Sequence, residues 1–223
     1  MEVIDLGQCE YNYAMKLQNH YVTLRQQGKV QDLLLMVEHP PVITMGASAE
    51  KKNILLSNEN LSRKGISVIE TDRGGDVTYH GPGQQIAYPI IDLSLYGYDV
   101  LKYIRLLEEI LIKVLSEFGL EAHRMNNYTG VWVGKSKIAA IGIAVKKMIT
   151  MHGIALNVNP NMKHFSYIIP CGISDCPVTS MTEILKKPVD QDMVKCHMIE
   201  SLIEAFDHEK QWDGVPATHL PQT

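Results

Sequence analysis

The sequence predicts an α/β (α+β) fold: a mixed β-sheet covered by helices, formed by a single domain over residues 1–212 with a loosely held tail at 213–223. Three observations predict it. Apolar runs of strand length interleave with segments of helical periodicity. Several strands are joined by hairpin turns. A chain of 223 residues that is 45% hydrophobic is long enough for one substantial core, and no internal repeat or low-complexity linker divides it.

Val3–Leu6 reads as a first strand. Tyr11–Gln27 reads as a helix, because Ala14, Leu17, Tyr21 and Leu24 recur at three- and four-residue spacing and Gly28 supplies a stop. Asp32–Glu38 is an apolar run of buried-strand length. His39-Pro40-Pro41 ends it, since a proline forces the residue before it into extended geometry. Ser57–Lys64 is a short helix closed by Gly65, and Ile66–Glu70 a strand that enters a glycine-rich loop, Thr71–Gln85. Gln84–Ile91 is the strand that leaves it, and Pro89 suggests a sheet edge or a strand end. Asp99 caps the longest helix, Val100–Phe118, which Gly119 terminates. Gly130–Val133 and Lys137–Val145 flank the hairpin turn Gly134-Lys135-Ser136, and Lys146-Lys147 turns the chain into the strand Ile149–Val158. Ser180 and Glu183 stand at capping-box spacing at the head of a short helix stopped by Pro188. Asp190 caps the last helix, in which Val194, Met198, Leu202 and Phe206 share one face. From Asp213 the chain has prolines and no periodicity.

Composition excludes several functions. The formal charge is −4, with both signs mixed along the chain, unlike the basic face of a nucleic-acid binder. No apolar run approaches the roughly 18 residues that a membrane span needs. The opening MEVIDLG lacks the basic and apolar regions of a signal peptide, so a cytoplasmic location is expected. Cys9, Cys171, Cys176 and Cys196 do not suggest a disulfide framework. No second Cys/His pair accompanies Cys171 and Cys176, so no metal is expected.

The chemistry centres on Thr71–Gln85, TDRGGDVTYHGPGQQ. Glycines at this density let the backbone approach a ligand, and Arg73, Asp76 and His80 stand among them. The loop has the look of a site wall, yet holds no nucleophile. Arg73 and Asp76 either bind substrate or brace the loop as an internal ion pair. Two later residues can supply reacting groups. Cys171 lies in Ile-Pro-Cys-Gly-Ile, where Gly172 leaves a backbone N–H free to face an oxyanion. A small buried hydrophobe is the commoner fate of such a cysteine. Lys137 opens a strand of small and β-branched residues. It is either an ordinary strand-end lysine or a base that favours a neighbouring thiolate. His80 and His152, each in a His-Gly pair, are either further bases or hydrogen-bonded structural groups. Neither G-x-x-x-x-G-K-[ST] nor G-x-G-x-x-G is present.

Taken together, Arg73-Gly74-Gly75-Asp76-Val77-Thr78-Tyr79-His80-Gly81-Pro82-Gly83-Gln84 resembles the signature of the lipoyl(octanoyl) transferases. The resemblance continues through Glu38-His39-Pro40-Pro41, Gly130-Val131-Trp132-Val133, Lys137–Gly142, His152–Val158, Pro170-Cys171-Gly172-Ile173 and Val178-Thr179-Ser180, in the family's order and over most of the chain. It departs after Gly46, where Ala47-Ser48 replaces a position often basic.

The resemblance implies a catalytic fold related to lipoate and biotin protein ligases. It implies transfer of an octanoyl group from octanoyl-acyl carrier protein to a lysine of a lipoyl-accepting domain, in 2-oxoacid dehydrogenases or the glycine cleavage H protein. By the same resemblance Cys171 is the nucleophile that becomes an acyl-thioester and Lys137 its activating partner. Arg73, Gly74, Gly75, Asp76, Val77, Thr78, Tyr79, His80, Ala140, Ile141, Gly142, Gly153, Ile154 and Ala155 line the acyl pocket. No ATP, metal or organic cofactor is expected, because the donor is already activated. The small residues of Lys137–Val145 leave room for the chain. The alternatives are an ATP-dependent lipoate ligase, a thioesterase with water as acceptor, and a non-catalytic acyl-binding or carrier-docking module.

Overall fold

A computed structural model describes residues 1–97, 99–170 and 177–212. Cys171, Cys176 and the expected tail from Asp213 lie outside the described residues. Strand β1 (Glu2–Gln8) runs parallel to β2 (Leu33–Glu38), with helix α1 (Tyr11–Gln26) as the crossover. Strand β6 (Gln84–Ile90) pairs antiparallel with β2, and β10 (Ile149–Asn157) antiparallel with β6. Beyond β10 come β9 (Ser136–Lys146), β8 (Val131–Val133) and β7 (Ala122–His123), again antiparallel. The order is therefore β1-β2-β6-β10-β9-β8-β7, a mixed sheet. A second sheet, β4-β3-β5, is built from β3 (Val42–Met45), β4 (Ser67–Glu70) and β5 (Val77–His80), with α2 (Asn58–Arg63) packed against β4.

Alternation along the large sheet separates two apolar layers. On one face α3 (Val100–Glu117) and α5 (Gln191–Trp212) bury Leu107, Leu111 and Val114 with Val194, Met198, Leu202 and Phe206, against Ile154 and Leu156. On the other, α1 places Ala14 and Val22 against Leu33, Leu35, Ile86, Tyr88 and Ala155. The helix starts follow the local chemistry. Asp99 accepts from Lys102 N–H at 2.7 Å, Ser57 caps α2, and Ser180 caps α4 (Met181–Leu185). Among the described residues no helix is long and apolar enough to cross a membrane.

Three features differ from the expectations. The stretch Thr71–Gln85 is not wholly a loop, because Val77–His80 forms β5, paired antiparallel with an unforeseen strand at Val42–Met45. Ala122–His123 adds another short strand. Helix α1 buries Tyr11, Ala14, Gln18 and Val22, whereas Leu17, Tyr21 and Leu24 are only partly covered.

Pro89 lies one residue before the end of β6, as the strand-end reading had it, although β6 itself is central, between β2 and β10. The β6–β10 ladder stops at Ala87–Ile154, so the proline stands where β10 has no carbonyl waiting for a donor. There His152 adopts φ 57° and gives its backbone N–H to Gln18 Oε1 at 2.6 Å. Gly153 then packs so closely on β6 that a Cβ would lie 2.3 Å from Ala87 O and 2.8 Å from Pro89 Cδ.

Candidate active site

A pocket lies between the α1 face of the large sheet and the Arg73–His80 segment. Its floor is made by cross-strand pairs of the smallest residues, Ala140 opposite Ala155 and Gly142 opposite Gly153. Larger side chains at these alternate positions would fill the space. Ile86 and Tyr88 of β6 and Thr78 and His80 of β5 complete the walls.

Arg73 holds the overlying segment in place. Its side chain is buried, and its guanidinium donates to Thr44 Oγ1 (2.9 and 3.1 Å), Thr44 O (2.7 Å), Gly74 O (3.1 Å) and Asp76 O (2.7 Å). The segment is tied to the floor by Gly74 N–H donating to Ile143 O at 2.7 Å. Gly142 permits this approach, since a Cβ there would lie 3.0 Å from Gly74 O. The Asp76 carboxylate accepts from Val77 N–H (2.7 Å), Glu50 N–H (3.2 Å) and the Asn53 amide (2.5 Å).

One end of the pocket is ringed by buried polar aromatics. His39 donates Nδ1–H to Cys9 O at 2.6 Å, so its Nε2 accepts from Tyr88 OH at 2.8 Å. Burial lowers the His39 pKa to about 4. Gln84 donates its amide to Tyr79 O and Asn157 Oδ1, which turns Oε1 toward His80 Nδ1 at 3.1 Å. Burial, then the proximity of His39 and Arg73, pushes His80 well below the usual imidazole range. His152 is also lowered by burial, although its Nε2 contact with Asp72 (2.8 Å) opposes the shift. Burial raises the Tyr11 hydroxyl to about 12. The ring set is thus uncharged at neutral pH, which suits an apolar guest.

Lys137 stands at the other end. Its backbone N–H donates to Pro177 O (2.8 Å) and its carbonyl accepts from Thr179 N–H (2.9 Å), joining β9 to the chain at Val178. The side chain is 5% exposed, with Nζ 4.9 Å from the Trp132 ring centroid. Pro170 lines the same small cavity as Lys137, together with Thr78, Gln84 and Phe165. Both prolines that bracket residues 171–176 therefore border the surroundings of this lysine. An outer cleft, walled by Glu50 and Asn53 on one side and Asn127–Thr129 on the other, opens to solvent. It shares Gly75, Asp76, Lys137 and Ile141 with the inner pocket.

A family model described as the lipoyl protein ligase A/B catalytic domain matches residues 10–203. An octanoyltransferase from Alkaliphilus metalliredigens is 47% identical over 210 residues, covering 94% of this chain and 96% of that one. Another from Caldicellulosiruptor bescii is 54% identical over 187 residues, covering 83% and 82%. The chain belongs to the octanoyltransferase family. It is accordingly an acyltransferase. The fold of this octanoyltransferase is shared with a solved lipoate-protein ligase A bound with ATP (TM-score 0.73, 20% identity, 93% of this chain and 86% of that one). It is shared too with the biotin protein ligase of Aquifex aeolicus (TM-score 0.57, 15% identity, 94% and 72%). The mixed α/β fold related to those ligases is the one observed.

In this octanoyltransferase all but one of the expected acyl-pocket residues line the pocket. The exception is Tyr79. It points to the opposite side of β5, where its hydroxyl meets His164 Nδ1 at 2.7 Å and its ring packs on Phe165. Arg73 does brace the loop, through carbonyls and Thr44; the Asp76 contacts described above are all to amide donors. Lys137 reaches the pocket, and Cys171 lies outside the described residues. Tyr11, Ile86 and Tyr88 also line the pocket and were not expected there. The available signal was a tyrosine on an otherwise apolar face, since a buried hydroxyl needs a partner.

Proposed function

We propose that the protein transfers an octanoyl group from octanoyl-acyl carrier protein to a lysine of a lipoyl-accepting domain, in a 2-oxoacid dehydrogenase or a glycine cleavage H protein, through a thioester on Cys171. The observation that carries this reading is Lys137, buried where an apolar pocket meets an open cleft and held by backbone bonds beside Pro177. Pro170 is the residue that precedes Cys171 in the sequence. Pro170 lines a cavity with the same lysine.

In the first half-reaction the Cys171 sulfur attacks the donor thioester carbonyl. A carbon–sulfur bond to Cys171 forms and the bond to the carrier sulfur breaks. Lys137 takes the proton of the Cys171 thiol and returns it to the departing carrier thiol. In the second, the acceptor amine attacks the new thioester, a carbon–nitrogen bond forms, and the sulfur of Cys171 leaves. The amine proton passes through Lys137 to that sulfur. Neither half needs ATP, because the donor carbonyl is already activated.

The pocket supports the choice of acyl group. Its floor of alanine and glycine and its uncharged rings offer apolar surface, and each buried methylene is worth about 0.8 kcal/mol. The test is transfer from octanoyl-acyl carrier protein to a purified lipoyl domain without ATP. Transfer under those conditions is expected. Incorporation only from free octanoate with ATP would instead make the protein a ligase, and release of free octanoate without acceptor modification would make it a thioesterase.

A further inference from the structure

We propose that the Asp76 carboxylate receives the protonated ε-amine of the incoming acceptor lysine where the outer cleft meets the acyl pocket, and so favours a lysine side chain over uncharged nucleophiles. The proposal rests on the acyl-enzyme reading given under Proposed function.

With an acyl chain in the inner pocket, the outer cleft offers an acceptor a path to it, since the two spaces share wall residues. Asp76 belongs to both spaces, as do Gly75, Lys137 and Ile141. Of these four, Asp76 alone has a side chain that can carry negative charge. Its carboxylate is fixed by Val77 N–H, Glu50 N–H and the Asn53 amide, all neutral donors that orient it. One oxygen takes the two backbone donors and the other takes Asn53, so that second oxygen keeps acceptor capacity for a further donor. The other acid of the cleft wall, Glu50, already pairs with Lys52 at 2.6 Å, and both side chains are largely exposed. At the far end of the pocket the His80 imidazole is neutral, and the nearby Asp72 carboxylate already pairs with His152 and Lys146. A pre-oriented carboxylate where the two spaces meet gives a charge-assisted hydrogen bond to an ammonium that no uncharged nucleophile matches, and the ammonium gives one proton to solvent before its amine attacks.

The test uses Asp76→Asn, which keeps an oxygen for the two backbone donors while the Asn53 amide rotates to accept from the new NH₂. Wild type and variant are loaded with octanoyl-acyl carrier protein, freed of donor, and discharged with either a lipoyl domain or hydroxylamine, which is uncharged at neutral pH. Discharge by the lipoyl domain should slow about tenfold or more relative to discharge by hydroxylamine. That ratio does not depend on how much of the variant is folded. Wild-type discharge by both, with the same ratio in Asp76→Asn, overturns this proposal alone. A wild-type protein that never acquires the octanoyl group overturns the acyl-enzyme reading and this proposal with it.

Discussion

Lys137 is positioned by its backbone: bonds to Pro177 and Thr179 fix the strand, while the side chain lies buried over Trp132. Replacing it with methionine keeps the volume and stem and removes the ammonium. Acyl-enzyme formation by Lys137→Met should fall by roughly a hundredfold or more, the usual share of a proton-transfer group, in rapid-quench measurements. Melting should stay close to wild type. A near-normal rate would remove Lys137 from the proton path.

His39 makes a prediction about stability. Its folded pKa of about 4 lies below the ordinary 6.5, so between those values the unfolded chain binds a proton that the native one does not. Stability should be fully present above about pH 6.5 and decline as pH falls toward 4, by up to about 3 kcal/mol from this residue. His80 and His152, shifted the same way by burial, should steepen the decline. Urea unfolding from pH 8 to 4.5 measures it, and a flat profile would contradict the neutral ring set. The sequence offered His80 and His152 as bases or structural groups, and His80 also as a pocket residue. Its motif included His39 without a role, because their burial comes from strands far apart in the chain.

At the scale of elements, β9 and β10 make the pocket by what they lack. Ala140→Leu should fill part of the floor and shorten the preferred chain. Each methylene displaced is worth about fourfold, so preference for octanoyl over butanoyl donors should drop by roughly tenfold or more. Unchanged preference would place the chain elsewhere. Gly153→Ala should destabilise by about 1–3 kcal/mol in a denaturant titration, since the methyl meets Ala87 O on the neighbouring strand.

The run of small residues in these strands was visible in the sequence, as were the capped helices, because both are local signals. The small sheet was not. Strands β3 and β5 are four residues each, and the glycines around β5 read as a loop because their pairing partner lies some thirty residues away. Pro89 marked a strand end, and it stands near the end of β6 although that strand is central. Its missing donor is accommodated by the break in β10 at His152, a feature that only the tertiary structure creates.

For the whole molecule, the two sheets and α1 enclose the pocket, while α3 and α5 close the opposite face of the large sheet. The layered architecture was legible because periodicity reports it. The joining of Lys137, Arg73 and the β10 floor into one site came from an ordered set of motifs, since no single motif carries distances between them. The junction between pocket and cleft was not legible, because it depends on how Asn53, Asp76 and Asn127–Thr129 meet in space.

The central claim is that an octanoyl group rests on Cys171 between donor and acceptor. Intact-protein and peptide mass spectrometry after mixing with octanoyl-acyl carrier protein tests it most directly. The account predicts an octanoyl adduct on the peptide containing Cys171, absent in Cys171→Ala and discharged by a lipoyl-domain lysine. Transfer at an undiminished rate by Cys171→Ala, with no adduct on the wild-type protein, would contradict it.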